Sequence, residues 1–162
     1  MKILLTLNGK NTTLETDGNE SLLHLLRREN IYSVKCGCEK GLCGNCMVLY
    51  NGLPVPSCRI TAPLLKNSKI ETLEGLKTNP IYQDIITGFN QAGVHLCGWC
   101  NAGKILTAFS LVSKKHRPDI EEISTALRSI EPCCTDRNTL ANGILYAIAA
   151  NHAREGRQNA KK

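Results

Sequence analysis

Four cysteines within Val34–Cys58, VKCGCEKGLCGNCMVLYNGLPVPSC, constrain this chain more than any other feature. Cys38, Cys43, Cys46 and Cys58 follow the spacing C-x4-C-x2-C-x11-C. That is the spacing of a plant-type [2Fe–2S] site, where four soft, anionic thiolates complete two tetrahedral irons. Gly37, Gly41 and Gly44 let the loop turn tightly and bring backbone N–H groups towards the sulfurs. A zinc site pairs its ligands in two separated short knuckles. Three cysteines in one glycine-rich loop fit iron–sulfur better.

A chain of 162 residues holds one medium domain or two small ones. Only 4% of its residues are aromatic, and in so small a core a metal centre contributes to folding. Nine cysteines would imply disulfides in a secreted protein. However, the apolar run of MKILLTLNGKN breaks at Asn8-Gly9 without a cleavage site, so no signal peptide is expected. No apolar stretch approaches membrane-spanning length. Reduced thiols in a cytoplasmic chain, with no membrane partner, are therefore expected. The formal charge of +6 suggests nucleic acid only until the cofactor is counted. An oxidised cluster with its four thiolates carries about −2, so two of them reduce the excess to about +2. No aromatic-basic stripe remains, and no nucleic-acid partner is expected.

The flanking patterns predict an α+β protein. Lys2–Leu7 and Thr12–Thr16 read as strands around Asn8-Gly9, a strong hairpin signal. Ser21–Glu29 reads as a helix with Leu22, Leu25 and Leu26 on one face. Cys46–Tyr50 and Leu53–Pro56 form a second hairpin around Asn51-Gly52, whose turn brings Cys58 back to the cysteine loop. Lys69–Thr72 supplies a late strand. Together these predict a β-grasp, plant-type ferredoxin-like domain over residues 1–73, followed by a polar connection, Glu74–Asn79. Helices are then expected over Pro80–Gln91, Gly103–Ser113, Pro118–Ser129 and Thr139–His152. The second carries Ile105, Leu106, Phe109 and Val112 on one face. They predict a C-terminal four-helix bundle domain over residues 80–154, and Arg154–Lys162 reads as a solvated polar tail.

The helical half has its own cysteines. Cys97 and Cys100 form a C-x2-C ahead of the second helix, and Cys133-Cys134 precede the fourth. Free N–H groups and the helix dipole favour thiolates at such ends. Two ends facing each other would gather four thiolates at the bundle centre, for a second [2Fe–2S] cluster. On the residues alone, a four-cysteine zinc site or free thiols remain open. His24, His95, His116 and His152 are scattered and read as ordinary histidines. Cys36, two residues before Cys38, reads as a spare loop thiol.

From Lys2 to about Asn151 the chain resembles the small iron–sulfur subunit of the molybdenum hydroxylases, the xanthine dehydrogenase, aldehyde oxidoreductase and carbon monoxide dehydrogenase family. The family's K-x-G-C-x-x-G-x-C-G-x-C corresponds to Lys35 through Cys46, and its distant Ser-Cys to Ser57-Cys58. F-x-x-x-G followed by C-G-aromatic-C corresponds to Phe89–Gly93 and Cys97–Cys100, with Gly103 beyond. Three positions depart from the pattern. Leu96 replaces a glutamine that contacts the pterin in the family, and Asn101-Ala102 replaces Thr-Pro. The family's C-R-C-T is here Pro132-Cys133-Cys134-Thr135, with proline at one ligand position. The resemblance implies an electron-transfer subunit with two [2Fe–2S] clusters and no substrate active site of its own. It implies a molybdopterin-binding large subunit, which hydroxylates a small heterocycle or aldehyde with water, and an FAD-binding subunit or other acceptor. Molybdopterin and FAD are expected only on those partners. The alternative is a single-cluster ferredoxin-like module whose helical half is a zinc-bound or metal-free scaffold.

Overall fold

The computed structural model describes residues 1–130 and 132–160. Strands β1 (Lys2–Leu7) and β2 (Lys10–Glu15) pair antiparallel from Lys2↔Glu15 to Leu7↔Lys10. Asn8 and Gly9 turn between them with φ of 49° and 79°, the double positive φ of a tight two-residue hairpin. That turn starts β2 at Lys10, two residues earlier than the pattern suggests. Helix α1 (Leu22–Arg28) is capped by Ser21, whose Oγ accepts the His24 N–H. Strands β3 (Met47–Tyr50) and β4 (Leu53–Pro56) form the second hairpin, and β5 (Lys69–Glu71) runs parallel to β1 and antiparallel to β3. The sheet order is β2-β1-β5-β3-β4, the expected β-grasp.

Side chains alternate across a strand, and β3 uses both faces. Val48 joins Ile3, Leu5, Leu22, Leu25, Leu26 and Ile70 in the core beneath α1. Met47 and Leu49 point the other way, into the core of the helical half. Their uninterrupted apolar run with Val48 is the signature of a strand covered on both sides.

The stretch expected as a plain connection contains a helical turn, α2 (Leu73–Leu76). Thr72 Oγ1 donates to Glu74 Oε2 at 2.7 Å there, and Leu73 and Leu76 are buried. The helical half comprises α3 (Pro80–Ala92), α4 (Asn101–Val112), α5 (Ile120–Ala126) and α6 (Arg137–Asn159). Asp119 caps α5, so the helix starts two residues beyond Pro118, and Leu127–Ser129 tightens into a 3-10 turn. Helix α4 is buried nearly all round instead of along one stripe, because β3 covers one side and the other helices cover the rest. Helices α3 and α6 cross closely at Gly88. A Cβ there would stand 2.2 Å from the Ala147 backbone nitrogen.

The tail is exposed over residues 155–160, as expected, but it is helical through Asn159 and held at Arg154. Arg154 Nε donates to Asp84 Oδ2 at 2.9 Å, and its Nη2 to Asn151 Oδ1 at 3.0 Å. Both acceptors are buried, which ties α6 to α3 beyond the predicted end. Among the described residues, no helix is long and apolar enough to cross a membrane.

Candidate metal centres

Three cysteines of the first set lie in the loop between α1 and β3, and Cys58 lies in the 3-10 turn Ser57–Arg59 after β4. Arg27 near the end of α1 donates to the Val34 carbonyl at 2.9 Å, and Lys35 N–H bonds the Asn45 carbonyl, closing the loop's base. Within the loop, Cys38 Sγ accepts the N–H groups of Lys40, Leu42 and Cys43 at 3.4, 3.3 and 3.4 Å. These bonds, Lys40's first, hold the Cys38 thiol down at about 6. Cys58 returns through buried Ser57, whose N–H and Oγ both donate to the Cys46 carbonyl at 3.0 and 2.8 Å. Burial pushes Cys58 up to about 11, reinforced by its contact with Cys46. A Cβ on Gly37 would stand 2.9 Å from Cys43 Sγ, so only glycine leaves the sulfur its place. Thiolates that accept several backbone N–H groups in a glycine-rich cradle fit a [2Fe–2S] group. Cys36 stands apart: its Sγ donates to Glu39 Oε1 at 2.9 Å, which raises its pKa and keeps it a thiol.

The second set is assembled from two loops. Gly93, with φ 70°, ends α3 and releases the chain towards Cys97. The α5–α6 loop bends at Cys133, Cys134 and Thr135 before Asp136 caps α6. Thr135 joins the loops by accepting the His95 N–H at 2.9 Å and donating to the His95 carbonyl at 2.6 Å. The sulfurs of Cys97, Cys100, Cys133 and Cys134 then all lie within 4.8 Å of one another. Cys100 Sγ is 3.2 Å from Cys97 Sγ and 3.4 Å from Cys134 Sγ. The hydrogen bond with Cys100 holds Cys97 at about 6, while burial pushes Cys100 up to about 11. Burial also works against ionised Cys134, but bonds from Cys100 and the Cys97 backbone, with the charge of Lys104, bring it below the usual thiol value. Four soft donors in one group fit a metal centre, and binding there would release the protons that the thiols still share.

Among the described residues, the structure thus gathers the sulfurs of Cys97, Cys100, Cys133 and Cys134 into one group. Cys38, Cys43 and Cys46 instead share one loop to which Cys58 is tied through Ser57, without so close a group of four sulfurs. Three contributors had no role assigned from sequence. Ser57 and Thr135 reveal themselves only as residues flanking cysteines. Lys104, fully buried with Nζ 3.6 Å from Cys134 Sγ, is visible in sequence only as a lone charge between Gly103 and Ile105.

Comparison with known proteins agrees with this geometry. Residues 10–93 match a 2Fe-2S iron-sulfur cluster binding domain, and residues 72–148 match a [2Fe-2S] binding domain. The chain is 38% identical over 147 residues to the nicotinate dehydrogenase small FeS subunit of Eubacterium barkeri, covering 90% of this chain and 94% of that one. The chain belongs to the small iron–sulfur subunits of the molybdenum hydroxylases. The iron-sulfur-binding subunit of xanthine dehydrogenase from Escherichia coli O157:H7 is another relative of this small subunit. It is 31% identical over 142 residues, covering 86% of this chain and 89% of its own. Among solved structures, quinoline 2-oxidoreductase from Pseudomonas putida 86 superposes with a TM-score of 0.80 at 31% identity. That match covers 94% of this small subunit and 96% of the other chain. The small subunit serves an oxidoreductase by electron transfer.

Proposed function

We propose that this subunit carries two [2Fe–2S] clusters and relays electrons from a molybdopterin-containing large subunit to a flavin subunit or another acceptor. Cys38, Cys43, Cys46 and Cys58 hold one cluster, and Cys97, Cys100, Cys133 and Cys134 the other. Each cluster supplies one-electron carrier chemistry. The observation that carries this reading is the convergence of the second four sulfurs, from loops more than thirty residues apart, inside a segment similar to a [2Fe-2S] binding domain.

Residues of this chain provide a route and two outward faces. The first cysteine loop touches the start of α4, one turn from Cys100. Trp99, 51% exposed, marks the outer side of the second set, and Leu42, 68% exposed, that of the first. We assign the face around Leu96–Ala102 to the molybdenum subunit and the face around Leu42 to the acceptor. The units 1–73 and 80–154 then correspond to the two cluster-binding halves. The substrate is transformed on the large subunit, in the cytoplasm.

One observation favours a second reading. Tetrahedral ligands at roughly 2.3 Å from a single metal ion lie about 3.8 Å apart, and the helical sulfurs form a similarly tight group. A zinc ion there would make this a one-cluster module. Gentle purification from the native cell tests the main reading: the chain is expected to emerge with a larger, molybdenum-containing partner. A chain recovered alone, with no molybdenum partner, would contradict it.

A further inference from the structure

The second cysteine set is accompanied by a cation that no motif predicts. Lys104 is completely buried, although lysine is among the residue types that almost never lie inside without a partner. It sits four residues after Cys100 in α4, on the same face of the helix, and helical side chains lean towards the N-terminus. Its ammonium is thereby carried back to the cysteines, where Nζ lies 3.6 Å from Cys134 Sγ. Ile105, Leu106 and Ala108 around it belong to the apolar core. Among the described residues, no carboxylate forms an ion pair with it. A charge kept out of water needs an opposite charge, and among the described residues the sulfur site supplies it.

We propose that Lys104 sets the reduction potential of the helical cluster, making it easier to reduce by holding a buried positive charge against the sulfur of Cys134. The proposal rests on the two-cluster reading above. Uptake of one electron takes a cluster with four thiolates from a net charge of about −2 to about −3. A fixed cation beside a ligand sulfur stabilises the more negative state more; Lys104 and Cys100 are buried, while Cys134 itself is exposed to solvent, which screens part of the effect. Hydrogen bonds to the sulfurs and local charge are among the features that set such potentials. Among the described residues, no lysine ammonium hydrogen-bonds a sulfur of the first set, where Cys38 Sγ receives backbone N–H groups instead, so the first cluster's potential serves as an internal reference.

The test is a redox titration of the intact complex, followed through the paramagnetic signals of the reduced clusters. Lys104→Met replaces the ammonium with an unbranched apolar chain of similar length, a change that buried ionic positions usually tolerate. The equilibrium constant for reducing the helical cluster is expected to fall at least tenfold, or 59 mV for one electron. The first cluster is expected to keep its potential. Should the methionine chain not take up its second cluster, Lys104→Gln makes the same measurement with another neutral side chain. An unmoved second potential overturns the proposal, and so does an equal shift of both. A wild-type complex with only one cluster signal overturns the two-cluster reading itself, before any variant is made.

Discussion

The carbonyl oxygen of Gly44 lies against the α-carbon of Gly103: a Cβ on Gly103 would stand 2.2 Å from it. Gly44 belongs to the first cysteine loop, between Cys43 and Cys46, and Gly103 lies three residues beyond Cys100. On its other side Gly44, with φ 75°, is closed in by Ser129 and Ile130, whose backbone atoms lie 3.0 and 3.1 Å from its own virtual Cβ. The segments that carry the two cysteine sites therefore meet backbone to backbone, with the Met47 side chain beside the contact. Gly103→Ala is expected to push the loop off α4, destabilise the chain by about 1–3 kcal/mol and slow electron exchange between the sites. Gly156→Ala is the control, because its Cβ would meet nothing within 4 Å. That helical site is expected to gain up to about 1 kcal/mol. Thermal unfolding and rapid-mixing reduction of the two variants check both statements. Equal behaviour of the two would refute a tight contact at Gly103.

Single cysteine replacements separate the sites. Cys43→Ser is expected to abolish or strongly alter the paramagnetic signal of the first cluster and to leave that of the second. Cys134→Ser is expected to remove the second, since Cys134 lies 3.4 Å from Cys100 Sγ and also receives Lys104. Cys133→Ser is expected to weaken or remove the same signal. Two intact signals in that variant would show that Cys133 is no ligand and that another group completes the set.

The end of α6 is held by chemistry and not by propensity. Asp84 is buried, and 24% of the Arg154 side chain is exposed. Arg154→Ala leaves a buried carboxylate without its cation. The cost is expected to be about 2 kcal/mol, below the roughly 3–5 of a fully enclosed pair because water can partly compensate. Thermal unfolding of the chain measures it, and a change indistinguishable from zero would contradict the role assigned to this pair.

The first cysteine set was legible because three ligands share one loop and the fourth follows a hairpin with an unmistakable Asn-Gly turn. The α+β architecture was legible for a similar reason: the Asn8-Gly9 and Asn51-Gly52 turns and the change to helical periodicity after residue 79 are local signals. What sequence hid is long-range. His152, Arg154, Glu155 and Arg157 give α6 a polar end that reads as solvated, while the anchor at Asp84 lies 70 residues away. Lys104 interrupts an apolar helix as an exposed residue would. Only the fold shows that α4 is enclosed by β3 and the other helices, so that no face is left for a charge except the cysteines. Pro132 in a ligand position made the second set look deficient, yet the bend at Cys133-Cys134 lets adjacent sulfurs reach the same group.

Iron, acid-labile sulfide and zinc per chain, measured on the complex purified from its native cell, test the central claim most directly. Two [2Fe–2S] clusters require about four irons and four sulfides per chain, with no stoichiometric zinc. Two irons and two sulfides, with or without one zinc, would contradict the two-cluster account and make the helical half a scaffold.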